Sequence, residues 1–149
     1  MKYKFSLCLI SLLLTGAVIL AQTKADDIVG IWLTNSKELA KIQIYKSGDY
    51  YFGKIVWLKN PTENGKSKVD SQNPDKSKQN QPIVGLIILK EFKFDNGYDE
   101  WKNGKIYDPE NGKTYSCYMS LNDRNTLRVR GYVGIFLFGR TEKWTKTTL

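Results

Sequence analysis

The chain has 149 residues, a length that suits one domain, and its 23 Lys and Arg against 15 Asp and Glu give a formal net charge of +8. It contains no His, which excludes Ser–His and Cys–His catalysis and removes the commonest side-chain ligand of zinc and haem. We therefore expect no enzyme, no metal and no cofactor; catalysis by carboxylates, Tyr or Lys is the less favoured alternative.

The first 21 residues have the pattern of a signal peptide. Lys2 and Lys4 precede a mostly apolar run over residues 7–20, shorter than the roughly 20 residues that a membrane-spanning helix needs. We expect cleavage after Ala21 or, as the alternative, after Ala25, so that residues 22–149 form one periplasmic or secreted domain with no membrane span. An uncleaved anchor is the other interpretation of this run.

Short runs of alternating polar and apolar residues, separated by turn signals, make up the rest of the chain, a pattern typical of an all-β barrel or sandwich. In chain order, the predicted strands cover residues 28–35, 40–46, 50–58, 83–94, 98–107, 113–121, 126–132 and 140–146. The apolar stretch 133–139 is either a bent strand or a plug. About eight antiparallel strands in meander order favour a small closed barrel, because closure removes the exposed edges.

Alternation also predicts which side chains share a face of the sheet. In the third strand, Tyr51, Ile55 and Trp57 lie on one side. In the sixth, Cys117 shares a face with Tyr115 and Met119, so we expect this thiol to be buried rather than reactive.

The segment 59–82 is polar and holds three of the chain's four prolines. Its length is far beyond that of a hairpin turn. It is either a lid or binding loop at one end of the barrel, or an inert excursion of the chain.

Four stretches together resemble a known family. They are GIW at residues 30–32, NPDKSKQNQPIVGLIIL at 73–89, WKNGKIYDPENGKTY at 101–115 and LRVRGYVGIFLFGRTEKW at 127–144. Their order closely resembles an exported bacterial family known as domain-of-unknown-function family 2147, over nearly all of the mature chain. The resemblance implies a small periplasmic or secreted β-barrel, similar to lipocalins and other calycins. It carries over no catalytic residue, because the family has no established reaction or ligand.

The lipocalin-like resemblance implies a role for three residues in closing the barrel. Such barrels begin with a Gly–any–Trp strand whose Trp forms the floor, and a basic side chain from the last strand lies across it. Gly30 and Trp32 match the first part, and Arg140 is the best match for the basic residue. We expect a cation–π contact between Arg140 and Trp32.

The candidate ligand-binding residues are aromatic side chains and two arginines. If the barrel is hollow, Tyr51, Trp57, Trp101, Tyr107 and Tyr115 would line a pocket for an apolar or ring-bearing ligand; otherwise they fill the core. Arg128 and Arg130 would hold a carboxylate or phosphate headgroup, or else form a solvated outer face.

Two functions therefore remain open. The first is binding of a small hydrophobic or anionic amphipathic ligand in the cell envelope. The alternative is an interaction protein with a filled barrel, whose surface contacts an envelope protein or glycan. Nucleic acid is a poor partner for an exported protein.

Overall fold

The computed structural model describes residues 23–135 and 138–149. The predicted signal peptide, residues 1–21, lies outside the described residues. Within them, no helix is both long enough and apolar enough to cross a membrane. The strands are β1 (Gly30–Leu33), β2 (Ala40–Ser47), β3 (Tyr50–Leu58), β4 (Thr62–Glu63), β5 (Lys66–Ser67), β6 (Ile87–Asp95), β7 (Glu100–Asp108), β8 (Lys113–Asp123), β9 (Thr126–Tyr132) and β10 (Gly139–Thr147). Short 3-10 helices cover Ala25–Ile28 and Lys76–Lys78.

Eight of these strands form a closed antiparallel barrel. Each barrel strand pairs with the next barrel strand along the chain, so that β3 pairs with β6. The ring is closed by the pairing of β1 with β10. The small β4–β5 hairpin stands apart from the barrel. The predicted all-β meander barrel is therefore confirmed.

The interior is built from the alternating apolar residues of the strands. The indoles of Trp32, Trp101 and Trp144 are buried there, with Tyr51 and Phe92 beside them. Gly104 leaves room for the ring of Phe92, which a Cβ at this position would overlap. Large rings and a glycine thus fill one part of the barrel tightly.

The predicted alternation is wrong at Trp57. Tyr51 and Ile55 face inward as expected, but the register of β2 and β3 shifts between Lys41 and Ile42. Leu58 is buried in place of Trp57, whose side chain is exposed and lies under the Lys41 ammonium, 5.4 Å from the ring centroid. A β-bulge of this kind shifts which residues face the interior, and single-strand periodicity does not reveal it.

The two ends of the barrel differ. At one end, short turns join β2 to β3, β6 to β7 and β8 to β9, and the 3-10 helix Ala25–Ile28 packs against the interior. The connections that follow β1, β3 and β9 at the other end are longer, and the short β7–β8 turn lies at this end with them. We call these the closed end and the open end.

Hydrogen bonds hold the N-terminal 3-10 helix in the closed end. The indole N–H of Trp32 donates to the carbonyl oxygen of Ile28 at 2.8 Å, and that of Trp101 donates to Ala25 at 3.0 Å. The Tyr51 hydroxyl donates to Asp26, and this bond, more than the Lys46 ammonium, lowers the pKa of the Asp26 carboxyl. Trp32 therefore forms the floor of the barrel, because its indole holds the 3-10 helix that precedes β1 in the closed end.

The basic residue beside Trp32 is Lys146, and the expectation for Arg140 is wrong. The β1–β10 register places Lys146 opposite Trp32, with the ammonium 5.2 Å from the ring centroid. That ammonium also donates to the carbonyl oxygen of Asp27 at 3.3 Å. Arg140 lies at the other end of β10, on the rim of the open end. Gly30 has a φ of +145°, and a Cβ there would crowd the Lys146 stem.

The segment 59–82 is folded onto the barrel. Asp70, which is fully buried, accepts a hydrogen bond from the Tyr107 hydroxyl at 2.7 Å and one from the Asn73 amide at 2.6 Å. The pKa of Tyr107 is raised, mainly by burial and secondly by the hydrogen bond to Asp70. The segment is thus a structured wall at the open end.

The apolar stretch 133–139 is described only in part. Residues 133–135 and Phe138 form a turn in which the amide of Val133 donates to the carbonyl of Phe138 at 3.0 Å, and β10 begins at Gly139. Residues 136 and 137 lie outside the described part of the chain.

Candidate ligand-binding cavity

A cavity of about 610 Å³ occupies the open half of the barrel. Its walls are mostly branched apolar side chains from the inner faces of the strands, with one indole at depth. These residues are Ile42, Ile55, Ile88, Ile106, Val129 and Trp144. In the described part of the chain, Trp32 and the N-terminal 3-10 helix close the other end of the barrel, so the cavity opens at the open end. We call this opening the mouth.

One carboxylate lies in the wall of the cavity. Glu142 is on the inner face of β10, where it is paired across the sheet with Val129. Its Oε2 accepts a hydrogen bond from the indole N–H of Trp144 at 3.0 Å, and its Oε1 lies 2.9 Å from the Arg140 guanidinium. The Arg140 side chain is 74% exposed and that of Glu142 only 21%, so the arginine lies on the solvent side of the pair.

The mouth carries charges of both signs. The charged residues that line it are Lys37, Glu38, Lys68, Asp108, Glu110 and Arg140. The Lys68 ammonium lies 3.3 Å from Glu38 and ties the segment 59–82 to the β1–β2 connection. Asp108 accepts bonds from the Glu110 amide and the Asn111 side chain within its own turn.

Two of the five predicted aromatic residues lie at the cavity. Tyr107 and Tyr115 both line it. The Tyr107 hydroxyl is engaged by Asp70, and the Tyr115 hydroxyl accepts a hydrogen bond from Asn111 at 3.2 Å. Both rings therefore present apolar surface to the cavity with their hydroxyls fixed by protein partners.

The other predicted ligand residues are elsewhere. Tyr51 and Trp101 are buried in the closed end, where they hold the N-terminal 3-10 helix. Trp57 faces outward, as do Arg128 and Arg130, which alternate with the buried Leu127 and Val129. The Arg130 guanidinium donates to the Thr141 hydroxyl at 2.9 Å on that outer face. The structure thus does not bring the arginines to the cavity.

Sequence reasoning missed Glu142, Trp144 and Lys146, which share the inner face of β10 with Arg140. The signal was present as a period of two, Arg–Glu–Trp–Lys at alternate positions from 140 to 146. The alternation does not predict at which end of the barrel each of these side chains lies.

Metal-ligating side chains and the Cys117 thiol are two further groups with possible chemistry. Among residues 23–135 and 138–149, no three His, Cys, Asp or Glu side chains cluster in a way that could hold a metal ion. The Cys117 thiol is buried, and desolvation raises its pKa to about 12. A thiol in this setting is a small apolar core group.

A second concavity, of about 630 Å³, lies outside the barrel. It runs between the segment 59–82 and the β6–β8 wall, and Lys78, Val84, Ile87 and Lys90 are among its lining residues.

Comparisons with known proteins agree with this architecture. No curated protein matches the sequence. Among solved structures, the fold is similar to protein HP1028 from the human pathogen Helicobacter pylori, described as belonging to the lipocalin family. The TM-score is 0.71 over 80% of this chain and 82% of that chain, at 19% sequence identity, so the likeness shows a shared lipocalin-like fold. Residues 30–146 match the bacterial family described as "Uncharacterized protein conserved in bacteria (DUF2147)", and the chain therefore belongs to that family.

Proposed function

We propose that this protein binds a small hydrophobic or amphipathic molecule in the open half of its barrel. The observation that carries the proposal is the cavity of about 610 Å³ with apolar walls, open at one end and closed at the other. Small-molecule sites commonly have volumes of roughly 300–1,000 Å³ and apolar linings with few polar groups. A molecule with an apolar body and one polar group would match this lining.

The same cavity weighs against the surface-interaction alternative, which requires a filled barrel. Three polar groups beside the cavity are positioned by protein partners: Tyr107 by Asp70, Tyr115 by Asn111, and Glu142 by Trp144 and Arg140. Polar groups held in fixed positions orient a ligand in an otherwise apolar site.

The proposal includes export to the cell envelope. Its support is the leader itself, Lys2 and Lys4 followed by the apolar run 7–20. N-terminal sequencing of the protein recovered from a periplasmic fraction is expected to begin at residue 22 or 26. Recovery of the full chain from the cytoplasm would contradict export.

Binding is tested with the uncharged fluorescent probe N-phenyl-1-naphthylamine, whose emission rises in apolar surroundings. We expect saturable binding at one site to residues 22–149. In Ile55→Phe the added ring enters the cavity, and the affinity should fall about tenfold, the equivalent of about 1.4 kcal/mol. Val56→Phe is the matched control, because Val56 is the neighbouring residue on the opposite face of β3. Its affinity should stay within about twofold.

Thermal unfolding of both variants checks that each is folded. Absence of saturable probe binding to the wild type would overturn the proposed function. An equal loss of affinity in both folded variants would place the probe outside the cavity and would also count against it.

A further inference from the structure

We propose that the cavity selects a ligand whose polar group is a protonated amine, and that this group binds the Glu142 carboxylate. The inference rests on the proposed function and names the chemical class of ligand within it. The Glu142 carboxylate lies between the apolar wall of the cavity and the exposed guanidinium of Arg140.

The carboxylate has room for a further donor. A carboxylate accepts about four hydrogen bonds. Two donors are in place, the Trp144 indole N–H on Oε2 and the Arg140 guanidinium on Oε1. The indole bond fixes the carboxylate toward the cavity, while Arg140 extends into solvent. An ammonium group entering from the mouth can therefore bind Glu142 while Trp144 keeps its bond.

The charges around the cavity also favour a positively charged ligand. Its lining includes the carboxylates of Glu38, Asp108, Glu110 and Glu142 against the cations Lys37, Lys68 and Arg140. Lys68 is engaged with Glu38, and Arg140 with Glu142. Among the described residues, the lining as a whole thus carries one more carboxylate than cations, although the chain has a net charge of +8. Opposite charges attract entering ligands, and like charges repel them.

The expectation of an anionic headgroup depended on Arg128 and Arg130, which lie on the outer face. An anionic head in the cavity would face the less exposed member of the Arg140–Glu142 pair, the carboxylate. Burial strengthens the interactions of the more buried charge, so Glu142 and not Arg140 sets the preference. The apolar body of the ligand would contact Ile42, Ile55 and Val129.

The test compares three probes with the same chain and different heads: dodecylamine, dodecanol and dodecanoate. Each competes with N-phenyl-1-naphthylamine for the mature protein, below its micelle concentration. We expect dodecylamine to displace the probe at about one tenth of the concentration that dodecanoate requires, because a charge-assisted hydrogen bond replaces a like-charge repulsion.

The variant Glu142→Gln removes the charge but keeps an oxygen acceptor for Trp144. It should weaken dodecylamine about tenfold and leave dodecanol within about twofold. Glu110→Gln is the matched control, since it removes the same charge from the rim of the mouth. Its effect on dodecylamine should be at most about threefold.

Two results would overturn this inference while leaving the proposed function intact. In the first, dodecanol binds the wild type but dodecylamine binds no better than dodecanoate. In the second, Glu142→Gln and Glu110→Gln weaken the binding of dodecylamine equally. The wild-type comparison needs no variant and decides the question even if Glu142→Gln does not fold. If neither the naphthylamine nor any dodecyl probe binds, the proposed function itself fails, and the inference fails with it.

Discussion

The indole of Trp32 is fixed by two neighbours at the closed end of the barrel. Its N–H donates to the carbonyl of Ile28, and the Lys146 ammonium lies over its ring. The ammonium also donates to Asp27. The last strand is therefore linked through one side chain both to the floor and to the segment that precedes β1.

Replacing Lys146 should weaken the fold. Lys146→Met keeps most of the stem but loses the cation–π contact and the bond to Asp27, so we expect a loss of about 0.5–1 kcal/mol in the free energy of unfolding. Urea denaturation measures it. Lys143→Met, the same change at an exposed position of the same strand, is the control and should leave the unfolding midpoint unchanged. Equal losses in the two variants would contradict a stabilising role for the contacts of Lys146.

At the scale of elements, the segment 59–82 between β3 and β6 packs against the open end of the barrel. Asp70 anchors it to Tyr107, and Lys68 connects it to Glu38. It also packs against the β7–β8 turn, where a Cβ on Gly112 would overlap the carbonyl oxygen of Gln72. This close approach requires glycine at residue 112.

Gly112→Ala should therefore be costly. Its φ of +69° already costs an L residue about 1–2 kcal/mol, and the overlap with Gln72 should add about 1–3 kcal/mol. Gly65→Ala is the control, since its φ is +76° but nothing lies within 4 Å of the added Cβ. Equal losses of stability in the two variants, measured by urea denaturation, would show that the segment does not pack on this turn.

At the scale of the whole molecule, the barrel combines a tightly packed half with a hollow half. Cys117 lies on the inner face of β8, fully buried, and burial raises its thiol pKa to about 12. It pairs across the sheet with Gly104 and Gly131, one in each neighbouring strand. The thiol becomes accessible only when the barrel opens.

Alkylation of Cys117 should consequently report unfolding of the barrel. In residues 22–149 at pH 8, we expect iodoacetamide to react no faster than the protein unfolds, and the rate to rise with urea as the unfolding rate does. Thr114→Cys in a Cys117→Ser background places a thiol at an exposed position of the same strand and should react quickly. Rapid labelling of Cys117 without urea would contradict a closed barrel.

The amino-acid sequence by itself determined the all-β class, the meander order and the number of barrel strands. It also placed Gly30 and Trp32 in the first strand and Cys117 in the core. These features are local, because a period of two and hairpin turns each depend on residues close together in the chain.

Only the tertiary structure decided which side chains meet. The bulge that turns Trp57 outward, the register that sets Lys146 rather than Arg140 over Trp32, and the placement of Glu142 in the cavity all depend on pairing between strands. Strand β10 meets β1 across more than 100 residues of chain, so the end of the barrel at which each of its side chains lies follows from closure and not from any local pattern.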